Sequence, residues 1–353
     1  MKPSNKVTGE SPKAAEMVEG RAPTKENVRQ VRAVPAQDGA AASQGLKGVR
    51  KAARERKQER FTTLLHHLTV DLLRDSFYAL KREAAPGVDG VRWAEYEDGL
   101  EPRLKDLHER VHRGSYRAQA SRRIYLQKPD GRQRPIGIAA LEDKIVQQAV
   151  VTILNAIYEE DFRGYSYGFR PGRSPHNALD ALSVGIVRKG VNWIVDADIR
   201  GFFDNMSHEW TMRFIQHRVA DKRIHRLIQK WLKAGVSEDG EWSETEIGTP
   251  QGAVVSPLLA NVYLHHVFDL WIEVWREKVA KGKVMAIRYA DDLVVGFEHR
   301  DEAERFLKEF GERLAKFGLE LHPEKTRLIE FGPNAARERG ARGEGKPESF
   351  TFL

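Results

Sequence analysis

Apolar residues recur at alternate positions through Met285, Ile287 and Tyr289, and an apolar run follows from Leu293 to Val295. This pattern predicts two strands joined at the adjacent carboxylates Asp291 and Asp292. A second strand pair is predicted in RRIYLQKPDGRQRPIGI, where Asp130-Gly131 is the hairpin signal. Residues 193–199 (WIVDADI) read as an apolar strand interrupted by carboxylates. Helical spacing runs through 61–82 and stops at the turn-rich APGVDG of 85–90. Further helices are predicted at 95–113, 142–160, up to 187 after the turn YSYGFRPGRSPHNAL, and at 208–219, 222–234 and 257–280. Residues 301–317 carry the clearest helix: Asp301 and Glu304 read as a capping box, Ala303, Phe306, Leu307, Phe310, Leu314 and Phe317 form one face, and Gly318 ends it. Helices on one face of a small antiparallel sheet make an α+β fold. No internal repeat is visible.

The 353 residues suffice for a sizeable core in two associated subdomains. No apolar run approaches the roughly 20 residues that span a bilayer, and no signal peptide is visible, so a cytoplasmic protein without a membrane partner is expected. The chain has no cysteine, which excludes disulfides, thiolate zinc sites and iron–sulfur clusters. The net charge of +7 is localised: residues 1–60 hold 14 Lys/Arg against 7 Asp/Glu, and the rest is neutral. That leader lacks periodicity and is expected to be a disordered basic arm, with helix over 47–60 at most. It serves either as a solubilising tail or as a non-specific phosphate contact.

Two acidic strand sites bear on chemistry. One is VDADIRGFFD, with Asp196, Asp198 and Asp204; the other is the Asp291–Asp292 pair. Asp196 and Asp198 point to one face of a strand, and buried unpaired carboxylates are costly. Either site alone reads equally as exposed edge or turn aspartates. Together they suit a shared hard cation such as Mg²⁺, and two ions ~4 Å apart move phosphoryl groups in line. Residues 122–134 hold five basic residues against one Asp, which makes either a solvated hairpin tip or a phosphate contact. Arg170 and Arg173 in GFRPGR either anchor a nucleic-acid backbone or pair with nearby carboxylates.

From residue 61 onward the chain resembles the reverse transcriptases encoded by group II introns, the intron maturase family. Eight blocks appear in the family's order: APGVDGVRWAEY, RRIYLQKPDGRQRPIGIAALEDKIVQQAV, YGFRPGRSPHNAL, VDADIRGFFDN, GTPQGAVVSPLLANVYLH, RYADDLVVGF, LELHPEKTRLIEF and SFTFL. The resemblance implies the fingers and palm of a right-hand polymerase. The expected division is an arm at 1–60, fingers with an N-terminal extension at 61–160, and a palm at 161–353. The last block normally leads into a helical thumb, so the thumb is expected to be largely absent, with weak grip on a primer–template and impaired splicing.

The resemblance also implies roles. Asp198, rather than Asp196, matches the first metal-ligating carboxylate and Asp291 the second; Asp292 is a less directly bound third, and the Ile199 carbonyl completes the set. The cofactor implied is a pair of Mg²⁺ ions, with Mn²⁺ as substitute. Lys128 and Arg134 match triphosphate-binding positions, and Gln251 and Gly252 a loop beside the nascent base pair. Phe203, five residues after Asp198, matches a gate that excludes a 2′-hydroxyl, although on its own it reads as a core aromatic. Lys325 matches a general acid for the pyrophosphate, and Asn261 follows in the SPLLAN helix.

The function implied is RNA-directed DNA polymerisation, with intron RNA, an RNA template, a DNA primer and dNTPs as partners, together with splicing and mobility. A splicing cofactor with little polymerase activity is the alternative. An RNA-directed RNA polymerase fits less well, because such enzymes carry GDD and a polar gate where this chain has Ala290 and Phe203.

Overall fold

The computed structural model describes residues 39–127, 131, 133–332 and 334–353. The chain folds as α+β, with two four-stranded sheets enclosed by helices. The sheet that carries the acidic motifs contains β3 (Trp193–Ala197), β6 (Val284–Tyr289), β7 (Asp292–Phe297) and β8 (Arg327–Glu330). Its order is β6-β7-β3-β8 and every pairing is antiparallel.

Alternation along these strands sorts their side chains onto two covered faces. Ile194, Met285, Ile287 and Val294 pack with Ala178, Leu182 and Ile186 of a helix at Pro175–Lys189. Val195, Ala197, Val284, Ala286, Leu293, Val295 and Phe297 join the main core with Phe306 and Phe310 of the helix Arg300–Ala315. Burial on both faces explains why β6 and β7 read as near-continuous apolar runs.

The other sheet is smaller and more open. β1 (Ser121–Gln127) and β2 (Gln133–Ile138) form the expected hairpin, paired from Arg122↔Ile138 to Gln127↔Gln133. β4 (Val236–Glu238) runs parallel to the start of β1, and β5 (Glu241–Ser243) closes the edge. The β4–β5 hairpin was not predicted, although its Asp239-Gly240 turn, with φ of 50° and 89°, is a hairpin signal. β1 and β4 lie on opposite sides of residue 160, so the two expected segments share a sheet.

Several expected helices are broken. Residues 61–82 become a bridge at Phe61, a 3₁₀ turn at Leu65–His67 and α2 (Val70–Ala79). Residues 95–113 divide into α3 (Trp93–Glu97) and α4 (Leu100–Arg113), because Gly99 takes a left-handed φ of 72°. The long helix at 257–280 is interrupted by a π-helical turn at His265–Asp269. The helix near 300 is capped by His299, so Asp301 lies inside its first turn.

The expected basic arm also needs correction. Residues 1–38 lie outside the described residues. Gly39–Glu55 form a helix, α1, and its Val49 and Ala53 are buried in the core. α1 is fastened by Arg54 to Glu160 at 3.0 Å, while Arg218 donates to the Lys57 carbonyl and to Asp161 at 2.7 and 2.8 Å. The expected disorder is therefore corrected for residues 39–46, while the helix through residue 55 falls within the stretch 47–60 that was allowed one; apolar residues spaced i, i+4 outweigh the surrounding basic charge. Among the described residues, no helix is long and apolar enough to cross a membrane.

Candidate active site

β6 and β7 meet at a two-residue turn, Ala290–Asp291, with Tyr289 opposite Asp292. Asp198 follows β3, whose Ala197 pairs with Leu293 of β7, so the two acidic motifs end beside each other. Their charges interact. Burial and then Asp198 raise the Asp291 pKa, against its own backbone N–H, Arg134 and Lys325. Asp292 keeps one side open to water. Even so, desolvation by the surrounding protein, followed by Asp291, Asp198 and Asp196, pushes it up to about 7.

Lys325 sets its ammonium 2.9 Å from Asp198 Oδ2. The segment carrying it is held by the His322 N–H, which donates to the Asp198 carbonyl at 2.8 Å. Asp196 is occupied differently: Arg327 donates to it at 3.3 Å. Ile199 has a buried side chain and a backbone bridge to Leu321. Asp204 sits in the short helix Phe202–Asn205, where its carbonyl backs Gly248.

Among the described residues, no group of three or more His, Asp or Glu side chains is gathered to hold a metal ion. The donor chemistry nevertheless fits a divalent cation. Hard carboxylate oxygens lie close enough to repel one another, and Arg134 and the Lys325 ammonium are the cations that offset their charge.

The turn is held from behind by residues that the strand pattern did not reveal. Ala290 has φ 56°, a conformation in which glycine ordinarily sits. Arg288, wholly buried, donates to Asp269 at 2.8 and 2.6 Å, to Asn261 Oδ1 at 2.8 Å and to the Ala290 carbonyl at 3.1 Å. Asp269 stands in the π-turn, and the adjacent Arg288 outweighs its burial and keeps its pKa below the usual range. Asn261 in turn donates to the Gly168 carbonyl at 2.8 Å. A Cβ on Gly168 would lie 2.2 Å from the Ala290 nitrogen, so the GFRPG turn and the Ala290–Asp291 turn touch backbone to backbone. A sequence signal for this network existed in the single Arg of an otherwise apolar β6.

Beside the carboxylates lies a cleft of about 610 Å³. Arg134, Phe203, Gln251 and Gly252 all line it, so four predicted nucleotide-contacting residues come together. Arg134 Nε donates to Gln251 Oε1 at 2.7 Å, and the Gly137 N–H donates to the Gln251 carbonyl at the same distance. Gly252 has φ 104°, and a Cβ there would lie 2.9 Å from Ile136 Cγ2, so glycine is required by the close approach to β2. Phe203 is partly buried against the core yet faces the cleft. Lys128 lies outside the described residues.

Lys144 and Phe169 also line the cleft and were not predicted. Lys144 donates to the Ala85 carbonyl at 2.7 Å, which ties the APGVDG block to the cleft wall, and burial lowers its pKa. Its signal was a lysine among the apolar residues of ALEDKIVQQAV.

Arg170 does not serve as a template contact. Its side chain is 4% exposed, and it is spent on Glu159 and on the carbonyls of Arg163 and Ser166. Arg173 remains nearer the surface, donating to the Gly164 carbonyl and lying over the Tyr167 ring at 4.9 Å.

Comparison with known proteins agrees with this geometry. The family described as "Reverse transcriptase (RNA-dependent DNA polymerase)" matches residues 126–353. The chain is 31% identical to Protein YkfC of Escherichia coli (strain K12) over 298 residues, covering 73% of this chain and 78% of that protein. It is 33% identical over 289 residues to the group II intron-encoded protein LtrA of Lactococcus lactis, covering 80% of this chain and 47% of LtrA. A nuclear intron maturase 2 of Arabidopsis thaliana is 30% identical over 172 residues, covering 37% of this chain and 23% of that protein. The chain thus spans about half the length of LtrA and most of YkfC. With Asp198 just after β3 and Asp291 in the β6–β7 turn set beside the cleft lined by Arg134 and Gln251, it belongs to the group II intron-encoded reverse transcriptase and maturase family.

Proposed function

We propose that this chain is an RNA-directed DNA polymerase of the group II intron type, copying intron RNA with Mg²⁺, or Mn²⁺ in its place. The observation that carries this reading is the β3–β7 pairing that sets Asp198 beside the Asp291–Asp292 turn, next to the cleft lined by Arg134, Phe203 and Gln251. When bound there, divalent ions would lower the pKa of a primer 3′-hydroxyl and offset charge on the reacting phosphate.

Asp198 and Asp291, with the Ile199 carbonyl, are assigned as metal ligands and Asp292 as the weaker third carboxylate. Arg134, already aligned by Gln251, takes the triphosphate as a fixed cation, and Lys128 is assigned as a second cation for it. Phe203 stands under the sugar and rejects a 2′-hydroxyl. Lys325 exchanges its bond to Asp198 for the departing pyrophosphate and gives it a proton, while Arg173 contacts the template backbone.

The test is primer extension on an RNA template with dNTPs and Mg²⁺. The wild-type chain is expected to extend, and Asp291→Ala to lose on the order of 10³-fold in rate. Equal inactivity of the two would overturn the polymerase reading. Phe203→Val is expected to admit rNTPs; unchanged sugar selection would remove the gate assignment. A splicing cofactor is the second reading, favoured by the relative named as an intron maturase. It predicts cognate intron splicing that survives Asp291→Ala.

A further inference from the structure

Phe169 carries a burden that packing does not explain. It is the third residue of the turn Tyr167–Arg170 and has φ 56°, a region that a bulky aromatic residue rarely enters. Glycine or asparagine ordinarily takes such a position. The ring is also 45% exposed, so the unfavourable backbone is not offset by burial. It lines the cleft that holds Arg134, Gln251 and Phe203, and its centroid is 6.3 Å from Tyr289 of the catalytic hairpin.

The neighbours on both sides are immobilised. Gly168 is pressed against Ala290 and held by Asn261, and Arg170 is locked by Glu159 and two carbonyls. Strain that is imposed by a fixed frame and that presents a large side chain to a cleft is the pattern of a ligand-contacting residue. Every nucleobase has a π-face, and aromatic side chains bind such faces by stacking.

We infer that Phe169 is a nucleobase platform: its ring stacks on a base at the growing end of the duplex. The inference rests on the polymerase reading and names a contact that the motif assignments leave out. The base comes either from the template strand or from the incoming nucleotide, and the experiment separates the two.

A primer–template with 2-aminopurine as the first unpaired template base is titrated with the full-length wild-type chain and with Phe169→Gly, Phe169→Leu and Phe169→Trp. If the template base is the one stacked, wild type and Phe169→Trp quench the probe, while the Gly and Leu variants bind it about five- to 150-fold more weakly. If the incoming nucleotide is the one stacked, the same pattern appears instead in the KM for dNTP. Phe169→Gly relieves the left-handed strain and is expected to melt at or above the wild-type temperature, which a packing role would not allow. Wild-type behaviour of the Gly and Leu variants in both quenching and KM overturns the inference, as does a lowered melting temperature for Phe169→Gly with both readouts intact.

The two readings fail separately. Extension by wild type alongside wild-type behaviour of the Gly variant sinks only the Phe169 contact. Absence of extension with Phe169-dependent quenching intact sinks only the polymerase.

Discussion

The two sheets have four strands each and resemble each other in little else. The sheet carrying Asp291 is covered on both faces, and its central strands bury every residue from Leu293 to Phe297. The sheet carrying Arg134 is thin: β5 is exposed throughout, Tyr125 stands in solvent, and only two register pairs join β1 to β4. Mutually repelling carboxylates need a frame that does not yield, because any relaxation would separate them. On the proposed function, cations that meet a triphosphate suit a lighter frame that adjusts, and the difference in burial would follow that difference in task.

That contrast can be broken most severely at Arg288. Its Asp269 partner is also wholly buried, so Arg288→Met leaves an uncompensated charge and is expected to cost about 3–5 kcal/mol in chemical denaturation. Adding Asp269→Leu should recover most of the loss. A cost below about 1 kcal/mol for the single variant would mean that the turn does not depend on the pair.

A smaller effect is expected where the thin sheet meets the cleft. Gly252→Ala places a methyl group against Ile136 at a φ of 104° and is expected to cost about 1–3 kcal/mol. Because Gln251 aligns Arg134, its KM for dNTP should also rise. An unchanged KM would detach the loop from nucleotide binding.

A pH effect of about 1 kcal/mol is expected from the helical layer under the acidic sheet. His266 stacks on Phe214 with 4.7 Å between centroids, and burial, then His265 and His217, lower its pKa from 6.5 to about 3. The folded state binds this proton less readily than the unfolded chain, so stability falls as pH drops from about 6.5 toward 3. Partial solvent access keeps the loss at pH 5 near ~1 kcal/mol. His266→Phe should flatten melting temperature against pH in that window. The smallest effect belongs to the thin sheet's surface: Arg123 approaches Glu238 at 4.0 Å with both side chains open, and Arg123→Ala should cost less than about 1 kcal/mol.

The hairpin around Asp291, the β1–β2 hairpin and the α+β class were legible because strand periodicity and turn residues are local signals. The gathering of Arg134, Gln251 and Phe203 followed from motif order. What stayed hidden depends on tertiary contact. The π-turn that brings Asp269 to Arg288 leaves no period of its own, and the choice between a backbone contact and a carboxylate pair for Arg170 stays open until Glu159 is seen beside it. The first turns of α1 were missed, and its two buried positions are diluted by lysine and arginine.

The contact between Gly168 and Ala290 has a consequence for protein engineering. Two segments more than a hundred residues apart meet with no room for a side-chain carbon, and Asn261 joins them from a third. They form one inheritable cassette in three pieces. A chimera that imports the YADD hairpin from a relative is expected to work only when residues 165–170 and position 261 travel with it.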